Sequence, residues 1–421
     1  MSISKKFIVL STFVTLLTFF GTSTALWAAV LSVPSQYTNI QAAIDAAELY
    51  GDTIEVADGT YTGPGNRGLV VNNKLITIKS QGGPENCIID CENSGRGITF
   101  KELGVYFEFD GFTIKNASSG AIYCNTASPN IKNCIFSNNS NSYGGGIYCT
   151  LSSPIIQNCR FIENSVSSHG GGLHCENFSY PKVSNSSFMN NRADSCGGAI
   201  FCDTSSPSFK NCLFQGNVAK NGAAIYSNEG GSHPKIYNSS ILLNSAALGS
   251  VLYLYGYHDY ASATFKNCII WGNTNFYSEI GSRYTALNIT YSNIQTDYEG
   301  EGNISIDPKF ISYFDPHLNP DSPCIDSGTP INLETDLDGN PRTQGRGIDM
   351  GAYEFVFENP LGDLNNDKKV DLNDAILIIQ SIHGNAPDIN VSNADFTNDN
   401  TVNIFDAVKL IQYIVKNIDA L

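Results

Sequence analysis

A chain of 421 residues is long enough for roughly two or three domains, with at least one sizeable core. Its 24 Lys and Arg stand against 40 Asp and Glu, a net charge of −16, which excludes nucleic acid as a partner because phosphate binding needs clustered cations. With only 15 % charged residues and 38 Gly, the composition suits a turn-rich β protein rather than a helical one.

The first residues read as a secretory signal peptide, placed at 1–29. Lys5 and Lys6 form the basic start, Phe7 to Phe20 the apolar run, and Ser23-Thr24-Ala25 or Leu26-Trp27-Ala28 the cleavage site. After its removal no stretch is long and apolar enough to span a bilayer, so a secreted, extracellular or cell-surface protein is expected. One helical pattern follows: Ile40, Ala43, Ile44 and Ala47 share a face, and Thr38-x-x-Gln41 has the form of a capping box. Such a helix suits the raw end of a stack of strands.

From about residue 30 to 300 the chain repeats with a period of about 26 residues, the mark of a solenoid. Each repeat opens on small residues and a short strand, as in Gly120 to Cys124, Gly145 to Cys149, Gly171 to Cys175, Gly198 to Cys202 and Ala223 to Ser227. An Asn column follows at 133, 158, 185, 211, 238 and 267, and a second at 139, 164, 191, 217, 244 and 273; Asp110 and Asn116 extend the two backward. Asn tolerates the left-handed backbone of a sharp turn, and amides stacked about 4.8 Å apart can bond to one another. Phe136, Phe161, Phe188 and Phe214 are expected to stack inside. No L-x-x-L-x-L pattern supports a leucine-rich repeat. The repeats resemble the right-handed parallel β-helix of the pectate-lyase-like superfamily, which implies an all-β solenoid and leaves function open.

Strand alternation sends Ile and Cys of each repeat inward and a column of Tyr123, Tyr148, His174, Phe201 and Tyr226 outward. Beside it run Asn125, Thr150, Glu176, Asp203 and Asn228. Glu176 and Asp203 fall on adjacent coils, where close carboxylates raise one pKa or chelate a cation, and paired acids are what glycosidases use. Glu176, Asp203 and His174 are therefore the candidate catalytic residues; the alternative is a plain solvated strand face. Of the twelve Cys, those at 124, 149, 175 and 202 share one column and those at 134, 159, 212 and 268 another. Ser replaces Cys at 186, 227 and 239, so small core filler is expected more than obligate disulfides.

Residues 301–357 form a distinct block containing Ser322-Pro-Cys-Ile-Asp-Ser-Gly328, Asp336-Leu-Asp-Gly-Asn-Pro-Arg342 and Ile348-Asp-Met-Gly-Ala-Tyr-Glu354. They resemble the module that closes many secreted bacterial β-helices. Residues 358–421 contain a duplication. The first loop offers Asp363, Asn365, Asp367, the Lys369 carbonyl, Asp371 and Asp374; the second offers Asp395, Thr397, Asp399, the Thr401 carbonyl, Asn403 and Asp406. Oxygen donors at loop positions 1, 3, 5, 7, 9 and 12 suit calcium. Position 6, usually Gly, is Lys368 and Asn400. Each loop leads into an apolar helix, along Ile376, Ile379 and Ile382 or Val408, Ile411 and Val415, expected to pack on its twin. Asp at position 12 and one helix per loop resemble the type I dockerin, implying calcium as cofactor and a cohesin-like or other docking protein as partner. Cellulosomal dockerins often carry Ser or Thr after the ninth ligand; here stand Leu372-Asn373 and Ile404-Phe405.

Two functions follow as expectations. In the first, the β-helix binds or degrades polysaccharide, as a pectate-lyase-like polysaccharide lyase or a glycoside hydrolase if it is an enzyme, and the tail docks it. In the second, it is a non-catalytic cell-surface or matrix binding protein in which the β-helix is a rigid spacer.

Overall fold

A computed structural model describes residues 28–48, 50–102, 107–228, 231–248, 251–255, 261–274, 285–342, 345–356, 361–365, 369–384, 391–397, 399 and 401–418. The expected leader therefore falls outside the described residues, apart from Ala28 and Ala29. So do Asp367, Lys368 and Asn400.

Strands stack in parallel from Val30–Val33 to Asn293–Ile294, building sheets of 19, eight and five strands among the described residues. The eight-stranded sheet is the wall that carries the outward column. The five-stranded sheet, starting at Ser140–Tyr143 and Ser165–His169, runs just ahead of the last five strands of that wall. Register is set by the repeat: Cys124 faces Cys149, Cys149 faces Cys175, and Cys175 faces Cys202. Phe136, Phe161, Phe188 and Phe214 stack in the core with centroids 5.0, 4.4 and 5.1 Å apart.

The two Asn columns do different jobs. The one from Asn139 is the ladder: each buried Nδ2 donates to the Oδ1 of the next coil, at 3.0 Å for Asn139–Asn164 and 2.8 Å for Asn217–Asn244, and also to a carbonyl one coil back. The one from Asn133 supplies left-handed turns, with φ between 43° and 56°. Asp110 does extend this column, accepting from Asn133 at 2.7 Å. Asn116 does not extend the ladder. Ala117 takes that place, its N–H bonding Asn139 Oδ1, while Asn116 turns left-handed and binds Asp90.

All twelve Cys are buried and unbridged. In one column Cys134, Cys159, Cys212 and Cys268 alternate with Ser186, Ser239 and Ser292, and thiols and hydroxyls alike donate to the carbonyl two residues back. The Cys–Ser exchange is thus one small donor filling one slot.

The N-terminal helix, Ile40–Ala46, buries Ile40, Ala43 and Ile44. Its cap is Asn39, which accepts from Ala42 N at 2.8 Å; the expected capping box from Thr38 is one residue out. Gln41 instead pairs with Val70.

The described residues of 301–355 hold only isolated bridges and fold back on the last coils. Leu318, Cys324 and Met350 share a core with Leu213, Leu242 and Ile269. The block also grips the outer Asn column. Fully buried Arg342 donates to Asn211 Oδ1 at 2.7 Å, to Glu354, and to the Gly351 and Ala352 carbonyls. Asn267 exchanges two hydrogen bonds with Thr329.

The C-terminal helices Leu372–Ile382 and Ile404–Ile418 pack on each other with the short Val391–Ala394. The buried face is Ala375, Ile378, Ala407, Leu410 and Ile414. Ile376, Ile382, Val408 and Val415, expected on the contact face, lie 41–49 % exposed. For Ile376, Val408 and Val415 the reason is angular, each lying about 80° or more around the helix from the buried positions; Ile382 shares the face of Ala375 and Ile378 but is the last residue of its helix.

Candidate functional sites

The wall column stands in the expected register. Tyr123 faces Tyr148, Tyr148 faces His174, His174 faces Phe201, and Phe201 faces Tyr226. Its rings stack, at 4.8 Å for His174–Phe201 and 5.3 Å for Phe201–Tyr226. It is not an open ladder throughout. His174 is only 2 % exposed, because Tyr143 and His169 fold over it from the five-stranded sheet. They can do so because Gly170, at φ 71°, makes the turn; a Cβ there would sit 2.8 Å from the Cβ of His174.

Glu176 sits in the neighbouring column, opposite Thr150. Its carboxylate accepts from Tyr148 Oη at 2.6 Å and lies 3.3 Å from His174 Nε2. The hydrogen bond from His174 outweighs burial, and with Tyr148 it holds the Glu176 carboxyl below its ordinary value. That is the opposite of the raised acid expected from two close carboxylates. Asp203 does lie on the adjacent coil, its N–H bonding Cys175 O at 2.8 Å. Its carboxylate, however, accepts from Thr204 and acts on His169 rather than on Glu176. Of the three candidates, the structure joins Glu176 to His174 and leaves Asp203 to one side.

Three further members escaped sequence reading. Arg96 lies over the Tyr123 ring at 4.9 Å, with an enclosed Nη1 that has no hydrogen-bond partner. Tyr143 and His169 are the others. A signal existed for these two: each directly precedes a run of Gly, and they pair in register.

In the C-terminal duplication, Asp374 and Asp406 are fully buried and make the same bonds. Asp374 Oδ1 accepts from Leu364 N and Asn365 N and its Oδ2 from Asp371 N; Asp406 Oδ1 accepts from Thr397 N and its Oδ2 from Asn403 N. Asp371 also caps its helix, accepting from Asn373 N, as Asn403 does from Phe405 N. Asp363 and Asp395 are buried as well. The donors are all hard oxygens, the set that calcium takes. Asp399 accepts from Thr401 Oγ1 at 2.5 Å and Thr401 N at 2.9 Å, and its own N–H donates to Asp395 Oδ1 at 3.2 Å. Among the described residues no three acidic, His or Cys side chains converge as a metal cluster. In the second loop the donors also bond one another: Thr397 Oγ1 donates to Asp395 Oδ1 at 3.3 Å, and Asn403 Nδ2 to Asp399 Oδ2 at 3.5 Å.

Comparison with known proteins agrees with this division. Residues 45–241 match the right handed beta helix region family, and residues 361–415 match the dockerin type I domain. No curated protein sequence matches. Among solved structures, the crystal structure of pectate lyase Pel9A aligns with a TM-score of 0.51 at 12 % identity, over 77 % of this chain and 96 % of that one. A PL6 family alginate lyase, AlyGC, aligns at 14 % identity over 79 % of this chain and 60 % of that one, with a TM-score of 0.28. The chain is a right-handed parallel β-helix protein that carries a C-terminal dockerin type I domain.

Proposed function

We propose that this is an exported, docked polysaccharide-recognition protein: the dockerin binds calcium and a cohesin-type partner, and the β-helix wall meets the sugar. The observation that carries the docking half is the apolar surface that the first turns of the two helices each leave outside. Leu372, Ile404 and Phe405 are 56, 51 and 68 % exposed and adjoin the uncovered Ile376 and Val408. A monomer gains nothing from exposing them together, whereas an apolar partner face does. Leu, Ile and Phe at the recognition positions select an apolar groove over one that reads Ser or Thr. The test is calorimetric titration of the full chain with a panel of cohesins. Binding should need calcium and fall at least about tenfold in Leu372→Asp/Phe405→Asp. Equal binding by that variant sinks the docking half.

The wall half rests on Arg96, Tyr123, Tyr148 and Glu176. Aromatic faces and an ionised acceptor, with the Arg96 charge held over the Tyr123 ring, suit a sugar chain. A glycosidase needs one carboxyl kept protonated. Glu176, held ionised with its carboxyl below the ordinary value, suits instead a hydrogen-bond acceptor. Titration with oligogalacturonate, followed by absorbance for unsaturated products, separates binding from cleavage. A Glu176→Gln/Asp203→Asn variant that binds like the parent leaves the spacer reading.

A further inference from the structure

Where residues 301–355 fold back on the β-helix, they leave a groove on the outer face of the 19-stranded sheet. It consists of two adjoining cavities, of about 640 and about 310 Å³, that share Met189. The larger lies within the ordinary range for small-molecule sites, about 300–1,000 Å³.

Its floor is a product of the repeat. Arg160, Ser187 and Leu213 stand in register on three successive coils. Its far wall is the turn Leu337-Asp338-Gly339. Buried Asp336 holds that turn, accepting from Asp338 N at 2.9 Å and Asn340 N at 2.7 Å. The second cavity is walled by Tyr313 and Phe314, which are 71 and 77 % exposed. They are packed edge to face at 4.9 Å and tied to the sheet through Gln215 Nε2 and the Phe314 carbonyl at 3.2 Å.

The chemistry left open in the groove is specific. Its charges are already matched: Arg160 pairs with Glu85, and Asp338 with His317 at 2.7 Å. What remains is hydrogen-bonding capacity. The outer Asn column is interrupted here. Asn158 donates back to Asn133 and Asn185 accepts from Asn211, yet no bond joins Asn158 to Asn185. Within the described residues the Asn185 amide nitrogen has no acceptor, the Asn158 amide oxygen no donor, and the Ser187 hydroxyl no partner.

We propose that this seam groove binds a neutral oligosaccharide. A sugar hydroxyl both donates and accepts, as an interrupted amide ladder requires. A sugar ring also has an apolar face, for which Leu213, Met189 and the Tyr313–Phe314 pair provide surface. An anionic ligand finds no uncompensated cation. The site shares no residue with the wall around Glu176, so the two readings stand or fall separately.

The test is titration calorimetry of the full chain, in calcium, with neutral gluco-, xylo-, manno- and galacto-oligosaccharides and with an oligogalacturonate. At least one neutral ligand should bind. Its affinity should fall about tenfold or more in Tyr313→Ala/Phe314→Ala, and also in Asn185→Asp/Ser187→Ala. It should be unchanged in Glu176→Gln/Asp203→Asn. The aromatic pair is exposed enough for its loss to leave the melting profile in place, which a thermal scan checks. Binding by none of the neutral ligands, binding that survives loss of the aromatic pair, or binding abolished by the wall variant overturns the proposal.

Discussion

The β-helix and the dockerin domain bury opposite things. The β-helix core consists of Ile, Phe and Cys repeated coil on coil, and its buried polar side chains are chiefly neutral amides and hydroxyls that satisfy one another. The dockerin buries Asp363, Asp374, Asp395 and Asp406 at 0–3 % exposure and leaves Leu372, Ile404 and Phe405 outside. One region is complete by repetition. The other carries concentrated negative charge and an uncovered apolar face, and on the proposed reading should depend on a cation and a partner. The comparison predicts that each part should respond to a different perturbation.

The largest effect should come from breaking the amide ladder at its centre. Asn191→Leu strips both side-chain bonds to Phe161 O and Asn217 Oδ1 and removes the acceptor for Asn164. Leaving several buried groups unpaired should cost on the order of 3 kcal/mol or more, read from denaturant melts of the β-helix transition. Asn185→Leu in the outer column should cost less, about 1–3 kcal/mol. It breaks one bond to Asn211 and forces Leu to a φ of 48°. Equal losses at the two sites would remove the distinction between ladder and turn.

Asp363→Ala with Asp374→Ala should weaken calcium at the first loop by at least about tenfold in titration calorimetry. The second loop, with Thr397 in place of Asn, should be the weaker site of the parent.

pH should separate the regions further. Burial raises Glu354 to about 9 and Asp349 to about 7 beside Arg342. Burial alone would lower His317, but the Asp338 and Asp315 carboxylates raise it above 6.5. Groups whose folded pKa is raised stabilise the fold fully below their unfolded values and lose that contribution as pH rises through the folded ones. The closing module should therefore weaken as pH rises above the ordinary carboxyl values of 3.8 and 4.5, with the loss complete by about 7 for Asp349 and about 9 for Glu354. Asp399 runs the other way: bonds to Thr401 lower its pKa, so its contribution disappears as pH falls. Amide exchange at residues 301–355 and in the dockerin, followed across pH, reads both slopes.

The smallest effect belongs to Cys212→Ser. Ser186 and Ser239 already fill the same slot on the adjacent coils, so melting should shift by less than about 1 kcal/mol.

How much of this the sequence carried depends on the range of the forces. The repeat, both Asn columns, the Phe stack and the wall register were legible because one residue type recurs at one spacing, which leaves a single register. Asn116 was misplaced by one position, since the eye follows Asn while the backbone follows the turn. The covering of His174 was missed because Tyr143 and His169 come from another sheet. The lowered Glu176 follows from a Tyr one coil away and a His two residues before it. Neither is visible as a carboxylate pair. The seam groove was illegible because Asp338 and Ser187 meet only when residues 301–355 fold back.

The central claim is that the two regions are independently stabilised, one by repetition and one by calcium. Scanning calorimetry of the mature chain with calcium, and again with chelator, tests it directly. Two transitions should appear with calcium. Chelator should abolish the smaller, together with the helical signal of 372–418, and leave the larger in place. A dockerin transition and helical signal unchanged in chelator, or a β-helix transition that falls with it, would contradict the account.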